Sequence, residues 1–405
     1  MPMIPSSCAK RRVWSNSLLA LSLLLGGGCG GGGGGDTVTS TQVSPPIAVV
    51  SPAPVPTPTQ TPLAFPRNVI LFIGDGMGFE SAGAASVFAT GGENGLAFQG
   101  LPVQARMVHN NAFNQTTDSA ASATAIASGF KVANEVISVL IPGDGTELKT
   151  LLEVYQQQGK RTGLVTTSFI EDATPAAFGA HNPSRNNVAN IAQDYLTQTT
   201  PHLLMGGYSA GALEPATAAG FGYTVVRDRA AMNSLDADSP NRVAGLFSEG
   251  RMPYEFDGDY STIPTLSEMT VKALDILDAD PDGFFLLVEN ENIDESGHGN
   301  HIQRHVAATV EFDKAVENTL NWAADRNDTL IIVTSDHECG GLTVLNHRGP
   351  GLYPDVVWST TGHTQAAVPI YARGPRSERF VGTLDNTDFF EILTGVVLTN
   401  PQQSD

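Results

Sequence analysis

Residues 69–78 read Val-Ile-Leu-Phe-Ile-Gly-Asp-Gly-Met-Gly, an apolar run followed by a glycine-rich turn. Five consecutive apolar residues are typical of a strand that is buried on both faces between helices. The glycines let the backbone turn sharply beside Asp75. Since ligands bind beyond the carboxyl ends of strands in open α/β sheets, we predict that Asp75 binds a metal. A phosphate-cradling loop is the weaker alternative, because the spacing Gly-x-Gly-x-x-Gly is absent and an aspartate repels phosphate.

Similar apolar runs predict further buried strands at residues 162–166, 284–288, 330–333 and 368–372. The segments between them predict helices at residues 147–158, capped by Thr146, at residues 269–277, behind a capping box of Thr265 and Glu268, and at residues 306–322. This alternation predicts an α/β fold, a three-layer α/β/α sandwich around a central, mostly parallel sheet. Residues 201–264 are polar and rich in turns, and we interpret them as an insertion.

The amino-terminal part of the chain differs in composition from the rest. Residues 1–29 place basic residues before a short apolar run, which predicts an export signal, and Cys29 follows small residues as in a bacterial lipoprotein. Arg11 and Arg12 form part of a twin-arginine pattern, but an ordinary basic segment is the better interpretation. Residues 30–66 are rich in Gly, Pro, Ser and Thr and predict a disordered tether. We therefore expect a folded domain at residues 67–400, exported to the periplasm or cell surface, with Cys29 available for a lipid anchor.

Charge and cysteine content narrow the class of protein. The chain has 405 residues, of which 42 are acidic and 22 basic, giving a net charge of −20. This balance argues against non-specific binding to nucleic acid or to an anionic membrane surface. It does not exclude a small anionic substrate, because bound divalent ions dominate the field in a cleft. Only Cys339 lies beyond the first 66 residues, so the folded domain has no internal disulfide.

More candidate metal ligands follow later strands or have tight local spacings: Asp294, His298, Asp336, His337 and His363. Asp294 and His298 are four residues apart, which puts both on one face of a helical turn. Asp336 and His337 can share a site only if the chain leaves strand geometry there, and the glycines at residues 340–341 make that turn plausible. Carboxylate and imidazole groups suit zinc, so the pattern predicts a multi-metal hydrolytic site.

Other histidines and Cys339 have simpler interpretations. His301 and His305 lie near His298, but without a carboxylate partner at ligand spacing we interpret them as solvated. His109, His202 and His347 have no supporting context. Cys339 could be a soft metal ligand, but a small buried residue beside a glycine turn is the better interpretation.

Residues 116–125, Thr-Thr-Asp-Ser-Ala-Ala-Ser-Ala-Thr-Ala, contain the candidate nucleophile. Asp118 is a good helix N-cap, which places Ser119 in the first turn, where the positive end of the helix favours a bound anion. No histidine lies near enough in sequence to suggest a general base, so a metal must ionise Ser119. A plain capped core helix is the alternative, and only the metal residues elsewhere count against it.

Six segments together resemble the alkaline phosphatase family, in the family's order. They are Asp-Gly-Met-Gly at 75–78, Thr-Asp-Ser-Ala-Ala-Ser-Ala-Thr at 117–124, Asp-Ala-Thr-Pro-Ala-Ala at 172–177, Asp-x-x-x-His at 294–298, Ser-Asp-His at 335–337 and Thr-Gly-His-Thr at 361–364. The similarity covers residues 67–398. It implies hydrolysis of small phosphate monoesters through a phosphoserine intermediate on Ser119.

The resemblance also implies two Zn²⁺ ions and one Mg²⁺ ion. One zinc would be bound by Asp294, His298 and His363, and the other by Asp75, Asp336 and His337 together with Ser119. The magnesium site would use Asp75, Thr174 and Glu289, with Asp172 behind it. Arg185 matches the family's phosphate-binding arginine, and Asp118 would orient it.

Two departures from the family pattern lead to further hypotheses. Glu295 occupies a position where other members carry Lys, His or Trp, and we expect it to alter magnesium affinity or product release. The interval between His337 and His363 is too short for a large dimer-capping insertion, and the family's homodimer remains only an expectation.

The sequence leaves three alternatives to phosphate monoester hydrolysis. A phosphodiesterase of the same superfamily is the main alternative, and Arg185 weighs against it. A sulfatase would need Pro and Arg after the nucleophile, whereas residues 120–122 are Ala-Ala-Ser. A non-catalytic phosphate- or metal-binding lipoprotein would not need the complete catalytic set.

Overall fold

The structure is a computed structural model that describes residues 65–236 and 242–398. The predicted export signal, Cys29 and residues 30–64 of the predicted tether lie outside the described residues. Within the part that is described, no helix is both long and apolar enough to cross a membrane.

The described residues form strands and helices that alternate along most of the chain. The strands are β1 Asn68–Gly74, β2 Val103–Val108, β3 Arg161–Phe169, β4 Leu203–Tyr208, β5 Thr224–Val226, β6 Val243–Glu249, β7 Phe284–Asn290, β8 Thr329–Thr334, β9 Glu338–Cys339, β10 Leu342–Asn346, β11 Asp355–Trp358, β12 His363–Thr364, β13 Val368–Arg373 and β14 Thr383–Asp385. The helices are α1 Phe79–Thr90, α2 Ser119–Ser128, α3 Leu151–Gln157, α4 Ala173–Gly179, α5 Val188–Thr197, α6 Pro215–Gly220, α7 Arg229–Asn233, α8 Leu266–Leu277, α9 Asn292–His298, α10 Ile302–Trp322 and α11 Asp388–Thr394.

A ten-stranded sheet forms the centre of the molecule, in the order β14-β2-β13-β8-β1-β7-β3-β4-β6-β5. Strand β13 runs antiparallel to both of its neighbours, and the other pairings in this sheet are parallel. The predicted strands are thus confirmed as β1, β3, β7, β8 and β13.

Successive residues of a strand point to opposite sides of the sheet, so a strand that is apolar throughout makes both faces apolar. Helices cover both of these faces. On β1, Val69 and Leu71 pack in one apolar cluster, which includes Ile126 of α2. Ile70 and Phe72 pack in the other, with side chains of α8 and α10. The predicted three-layer α/β/α sandwich is therefore confirmed.

Helix boundaries were predicted less accurately than strands. The capping box of Thr265 and Glu268 at the start of α8 is confirmed. Helix α3, however, begins after Thr150, whose side chain forms the capping box with Glu153. The prediction of Thr146 as the cap was wrong, because its hydroxyl bonds to Asp144 in the preceding turn. Helix α10 begins at residue 302, four residues before the predicted start.

The interpretation of residues 201–264 as an insertion was wrong. This segment contributes β4, β6 and β5 to one edge of the main sheet. Two glycines in β4 hid the strand, since they interrupt its apolar run. The structure requires a glycine at residue 207, because a Cβ atom there would lie 1.8 Å from the carbonyl oxygen of Gly250. By contrast, the interval between His337 and His363, which was predicted to be too short for a large insertion, holds the short strands β9, β10 and β11.

Candidate metal centre

Three neighbouring strands bring distant carboxylates to one edge of the sheet. Strand β1 lies between β7 and β8, with Ile73 paired to Glu289 on one side and to Thr334 on the other. Asp75 and Asp336 each lie two residues beyond these paired positions. Because the three strands are parallel, their carboxyl ends meet at the same edge, and their acidic residues converge there.

The first cluster consists of Asp75, Asp336 and His337, whose ligand atoms lie within 4.8 Å of one another. Nε2 of His337 is 3.2 Å from Oδ2 of Asp336 and 3.5 Å from Oδ1 of Asp75. The other oxygen of Asp336 accepts hydrogen bonds from the backbone N–H groups of Gly76 and His337. These bonds hold the chain out of strand geometry after β8, so neighbouring residues can face one site, as predicted.

The second cluster contains Asp294, His298 and His363. Asp294 and His298 lie on one face of α9, with Oδ2 and Nε2 separated by 3.1 Å. Nε2 of His363 is 3.5 Å from Oδ1 of Asp294. Nδ1 of His298 is hydrogen-bonded to the carbonyl oxygen of Thr361, and Nδ1 of His363 to that of Thr117. Such bonds place the proton on Nδ1 and direct the Nε2 lone pair of each ring into the cluster.

Ser119 is the first residue of α2 and lies beside the first cluster. Asp118 caps the helix, since its side chain accepts a hydrogen bond from the backbone N–H of Ala121 at 3.0 Å. Oγ of Ser119 lies 3.2 Å from Nε2 of His337. The predicted N-cap is confirmed, and the structure brings the serine and the candidate ligands together.

Arg185 lies across the same cavity, which has a volume of about 350 Å³ and is also lined by Ser119 and His363. Its terminal nitrogens are 2.8 Å from Oδ1 of Asp172 and 3.5 Å from Oδ2 of Asp118. These acidic partners raise the pKa of Arg185 against the effect of burial, which lowers it. The guanidinium group is therefore held charged and in a fixed position.

The third predicted ligand set lies behind the first cluster. Oγ1 of Thr174 donates to Oδ2 of Asp75 at 3.4 Å, and Oγ1 of Thr166 donates to Oε2 of Glu289 at 2.5 Å. Burial raises the pKa of Glu289 to about 8. Asp172 accepts a hydrogen bond from the hydroxyl of Ser168, whose backbone N–H donates to Oγ1 of Thr166, and this chain of bonds connects the set to Arg185.

The buried atoms of these clusters fit metal ions. Among residues 65–236 and 242–398, eight buried side-chain oxygen or nitrogen atoms lack a hydrogen-bond partner, and four belong to Asp75, Asp294, Asp336 and His337. Unpaired buried acceptors are costly, and cations placed among them would satisfy them. Oxygen and imidazole donors in this arrangement suit zinc, and the set at Glu289 and Thr174, which is all oxygen, suits magnesium.

The protonation states of the clusters follow from burial and close contact. Burial, together with the charge of Asp336, raises the pKa of Asp75, and burial raises the pKa of Asp336 to about 6. Burial lowers the pKa of His337, so its ring is neutral, as a metal ligand must be. Burial alone would raise the pKa of Asp294, but hydrogen bonds with His298 and His363 lower it.

Sequence reasoning missed Arg251 and Glu291, which line the same cavity. Arg251 follows β6 and forms ion pairs with Glu291 at 3.2 Å and with Glu295 at 2.6 Å. The charge of Glu295 is therefore partly balanced by a residue 44 positions earlier in the chain. No local motif marks Arg251. In the sequence, only the two acidic residues near Asp294, Glu291 and Glu295, indicated that a cationic side chain lies nearby.

The solvated interpretation of His305 was wrong. His305 is fully buried on α10, and its Nδ1 contacts the carbonyl oxygen of Ile293 and the hydroxyl of Ser296. Burial lowers its pKa to about 4. It is a neutral histidine that braces α9, whereas His301 is half-buried and caps α10 by accepting a hydrogen bond from the N–H of Arg304.

Cys339 is a free, buried cysteine, as predicted. Its Sγ nevertheless lies within 4.8 Å of ligand atoms of Asp294, His298 and His363. These three residues would supply the protein ligands of an open catalytic zinc site, and a fourth ligand would close it. We retain the interpretation of Cys339 as a packing residue.

Comparisons with known proteins agree with this geometry. The chain matches the family model described as "Alkaline phosphatase" at residues 66–207 and 213–355. It is 31% identical to "Alkaline phosphatase 3" of Bacillus subtilis (strain 168), over 80% of this chain and 87% of that protein. It is also 31% identical to "Streptomycin-6-phosphate phosphatase" of Streptomyces griseus, over 87% of this chain and 95% of that protein.

A solved structure is similar to this chain in both fold and sequence. It is a mutant of the alkaline phosphatase from the Antarctic bacterium TAB5, with Mg bound in its M3 site. The two chains superpose with a TM-score of 0.72 and 27% identity, covering 83% of this chain and 100% of the other.

Proposed function

The chain belongs to the alkaline phosphatase family of phosphoric monoester hydrolases, and we propose that it hydrolyses phosphate monoesters through a phosphoserine intermediate on Ser119. The observation that carries this proposal is the position of Oγ of Ser119, 3.2 Å from Nε2 of His337. The serine therefore lies where a cation held by Asp75, Asp336 and His337 would contact its hydroxyl.

Two zinc ions and one magnesium ion are proposed as cofactors. Asp294, His298 and His363 would hold one zinc, and Asp75, Asp336 and His337 the other. Thr174, Glu289 and Asp75 would hold magnesium, with Asp172 connecting that site to Arg185. When bound, such ions act as Lewis acids and lower the pKa of the hydroxyl or water that they contact.

The charges of the site match a phosphate monoester. Asp75, Glu289, Asp294 and Asp336 supply four negative charges, and three divalent cations supply six positive ones. The excess of two positive charges equals the charge of a monoester dianion. A phosphodiester carries one negative charge and would leave the site less well balanced.

Residues of the chain position the reacting atoms. Oγ of Ser119 gives up its proton to water and attacks phosphorus while the P–O bond to the alcohol breaks on the opposite side, and the departing oxygen takes a proton from water. The amino terminus of α2 favours the negative charge of the bound phosphate. Arg185 donates two parallel hydrogen bonds to phosphate oxygens that do not react, and Asp118 and Asp172 hold its guanidinium plane. Water then attacks the phosphoserine from the side that the alcohol has left, which releases inorganic phosphate and restores Ser119.

Export, a lipid anchor at Cys29 and a homodimer are also proposed. The composition of residues 1–29 supports export to the periplasm or cell surface, and residues 30–66 would separate the enzyme from its anchor. Cell fractionation of the wild type and of Cys29→Ser tests the anchor, since only the wild type should remain with membranes. Sedimentation equilibrium of the exported protein tests the dimer.

Substrate comparison tests the reaction. Hydrolysis of an aryl phosphate monoester, diester and sulfate is measured at neutral and alkaline pH for the wild type and Ser119→Ala, with and without a chelator. We expect monoester turnover that disappears in Ser119→Ala and with the chelator. Equal diester turnover would favour a phosphodiesterase instead, and metal and phosphate binding without turnover would favour a binding lipoprotein.

A further inference from the structure

Arg251 brings a second guanidinium group into the cavity that contains Ser119 and Arg185. One terminal nitrogen of Arg251 lies 3.2 Å from Oε1 of Glu291, and the other lies 2.6 Å from Oε2 of Glu295. A guanidinium group has five N–H donors and a carboxylate can accept several hydrogen bonds. Further N–H groups of Arg251 and the second oxygen of Glu295 therefore remain available to a ligand. Both side chains are about one third exposed, at 33% and 31%.

The backbone around Arg251 is fixed on both sides. The N–H of Gly250 donates to the carbonyl oxygen of Tyr208 at 2.8 Å, and the N–H of Met252 donates to that of Thr167, also at 2.8 Å. Next in the chain, the carbonyl oxygen of Pro253 accepts a hydrogen bond from Asn292, close to the candidate ligand Asp294. Arg251 is thus attached to the same framework as the metal centre, and its side chain is positioned before any substrate arrives.

The charges around Arg251 exclude one class of substrate. Glu291 and Glu295 both pair with Arg251, so this part of the cavity offers no unpaired positive charge to a second anionic group on the substrate. Apolar groups find little support either, since Phe169 and Val188 are the apolar residues among those that line the cavity. The cavity therefore presents a hydrogen-bond donor, Arg251, beside a hydrogen-bond acceptor, Glu295, and their paired atoms lie 2.6 Å apart.

We propose that Arg251 and Glu295 select the alcohol part of the substrate and favour phosphate monoesters of hydroxyl-rich alcohols, such as polyols and sugars. A hydroxyl group donates and accepts at once, and two adjacent hydroxyls can bond to a guanidinium N–H and a carboxylate oxygen that lie side by side. This inference rests on the proposed function, because it requires the phosphate group to occupy the part of the cavity at Ser119 and Arg185.

Three monoesters distinguish this selectivity from general activity: glycerol 1-phosphate is hydroxylated, phenyl phosphate is not, and phosphoglycolate carries a carboxylate. We expect Arg251→Met to lower kcat/KM for glycerol 1-phosphate at least about 10-fold more than for phenyl phosphate, which corresponds to about 1.4 kcal/mol. Comparing variants by this ratio cancels the different reactivities of the leaving groups. Glu295→Gln should raise kcat/KM for phosphoglycolate relative to phenyl phosphate by about 5-fold, since it removes a negative charge.

Arg348→Met is the matched control, because Arg348 also pairs with a carboxylate, that of Asp355, but does not line the cavity. The ratios of its kcat/KM values for the three monoesters should equal those of the wild type. Equal losses on glycerol 1-phosphate and phenyl phosphate in Arg251→Met, or unchanged ratios in both cavity variants, would overturn the inference. If Arg251→Met does not fold, Glu295→Gln alone decides. Failure of the wild type on all three monoesters would instead refute the proposed function.

Discussion

Nε2 of His298 lies 3.1 Å from Nε2 of His363, while Nδ1 of each ring faces a backbone carbonyl oxygen. A carbonyl oxygen can only accept, so each Nδ1 carries a proton and the two neutral rings would direct lone pairs at each other. A cation between them removes this repulsion. Without a cation, a proton on Nε2 of His298 would relieve the same repulsion, and the hydrogen bond that the ring then donates to Asp294 raises the pKa of His298 to about 9.

Metal removal should therefore destabilise the protein. A ligand present at 100 times its dissociation constant stabilises the folded state by about 2.7 kcal/mol, and at least two ions are expected here. Calorimetry with a chelator should show a lower Tm, and added zinc should restore it. An unchanged Tm would contradict the assignment of these clusters as metal sites.

The zinc content of variants should separate ligands from other histidines. We expect His363→Ala to lose about one zinc per chain, because it removes one of three ligands from an open site. His347→Ala is the control, since His347 is exposed and forms an ion pair with Glu93 on the surface. Elemental analysis of both purified variants measures the difference, and equal zinc content in the two would count against His363 as a ligand.

Replacing Arg185 should weaken monoester hydrolysis selectively. A phosphate monoester offers its unesterified oxygens to the two terminal nitrogens of Arg185, whereas a phosphate diester has one unesterified oxygen fewer. We expect Arg185→Ala to lower kcat/KM for an aryl monoester by about 100-fold and for the matching diester by about 10-fold or less. Arg185→Lys should fall between, because lysine keeps the charge but not the planar pair of donors. Equal losses on both esters would show that Arg185 does not discriminate between them.

Replacing Cys339 tests whether its thiol is a metal ligand. We expect Cys339→Ala to retain zinc and to change kcat by less than about 3-fold, while Tm falls slightly because a buried side chain is shortened. The loss of one zinc would establish Cys339 as a fourth ligand.

Glu171 should make stability depend on pH. Burial raises its pKa from the ordinary value of 4.5 to about 7, against opposing hydrogen bonds from backbone N–H groups of Ser209 and Leu213. The folded state thus binds the proton more tightly, and stability falls as the pH rises from 4.5 to 7. The contribution is at most about 3 kcal/mol, at 1.36 kcal/mol for each pKa unit.

The variant Glu171→Gln lacks this ionisation. Its free energy of unfolding relative to the wild type should therefore increase between pH 5 and pH 8. Urea unfolding of both proteins at each pH, with a chelator present, measures the change. A difference between variant and wild type that is the same at both pH values would contradict the raised pKa.

The sequence predicted the parts of the site that are determined locally. Asp75 follows an apolar run, Asp294 and His298 share a helical turn, and Asp118 caps the helix of Ser119, so nearby residues reveal each role. His305 and Arg251 could not be predicted in this way. His305 is buried because α10 packs on α9, and Arg251 reaches the cavity because residues 250–253 are bonded to β3, β4 and α9. Those contacts exist only between segments that are distant in the sequence.

The position of β1 within the sheet determines how late this strand opens when the sheet unfolds. Four strands flank it on one side and five on the other, and the carboxylates of the site lie on or just beyond β1 and its two immediate neighbours. Fraying begins at outer strands such as β5 and β14, which are three residues long. The strands that carry the candidate metal ligands are therefore the last part of the sheet to open, and partial unfolding should reach the outer strands well before it reaches the site.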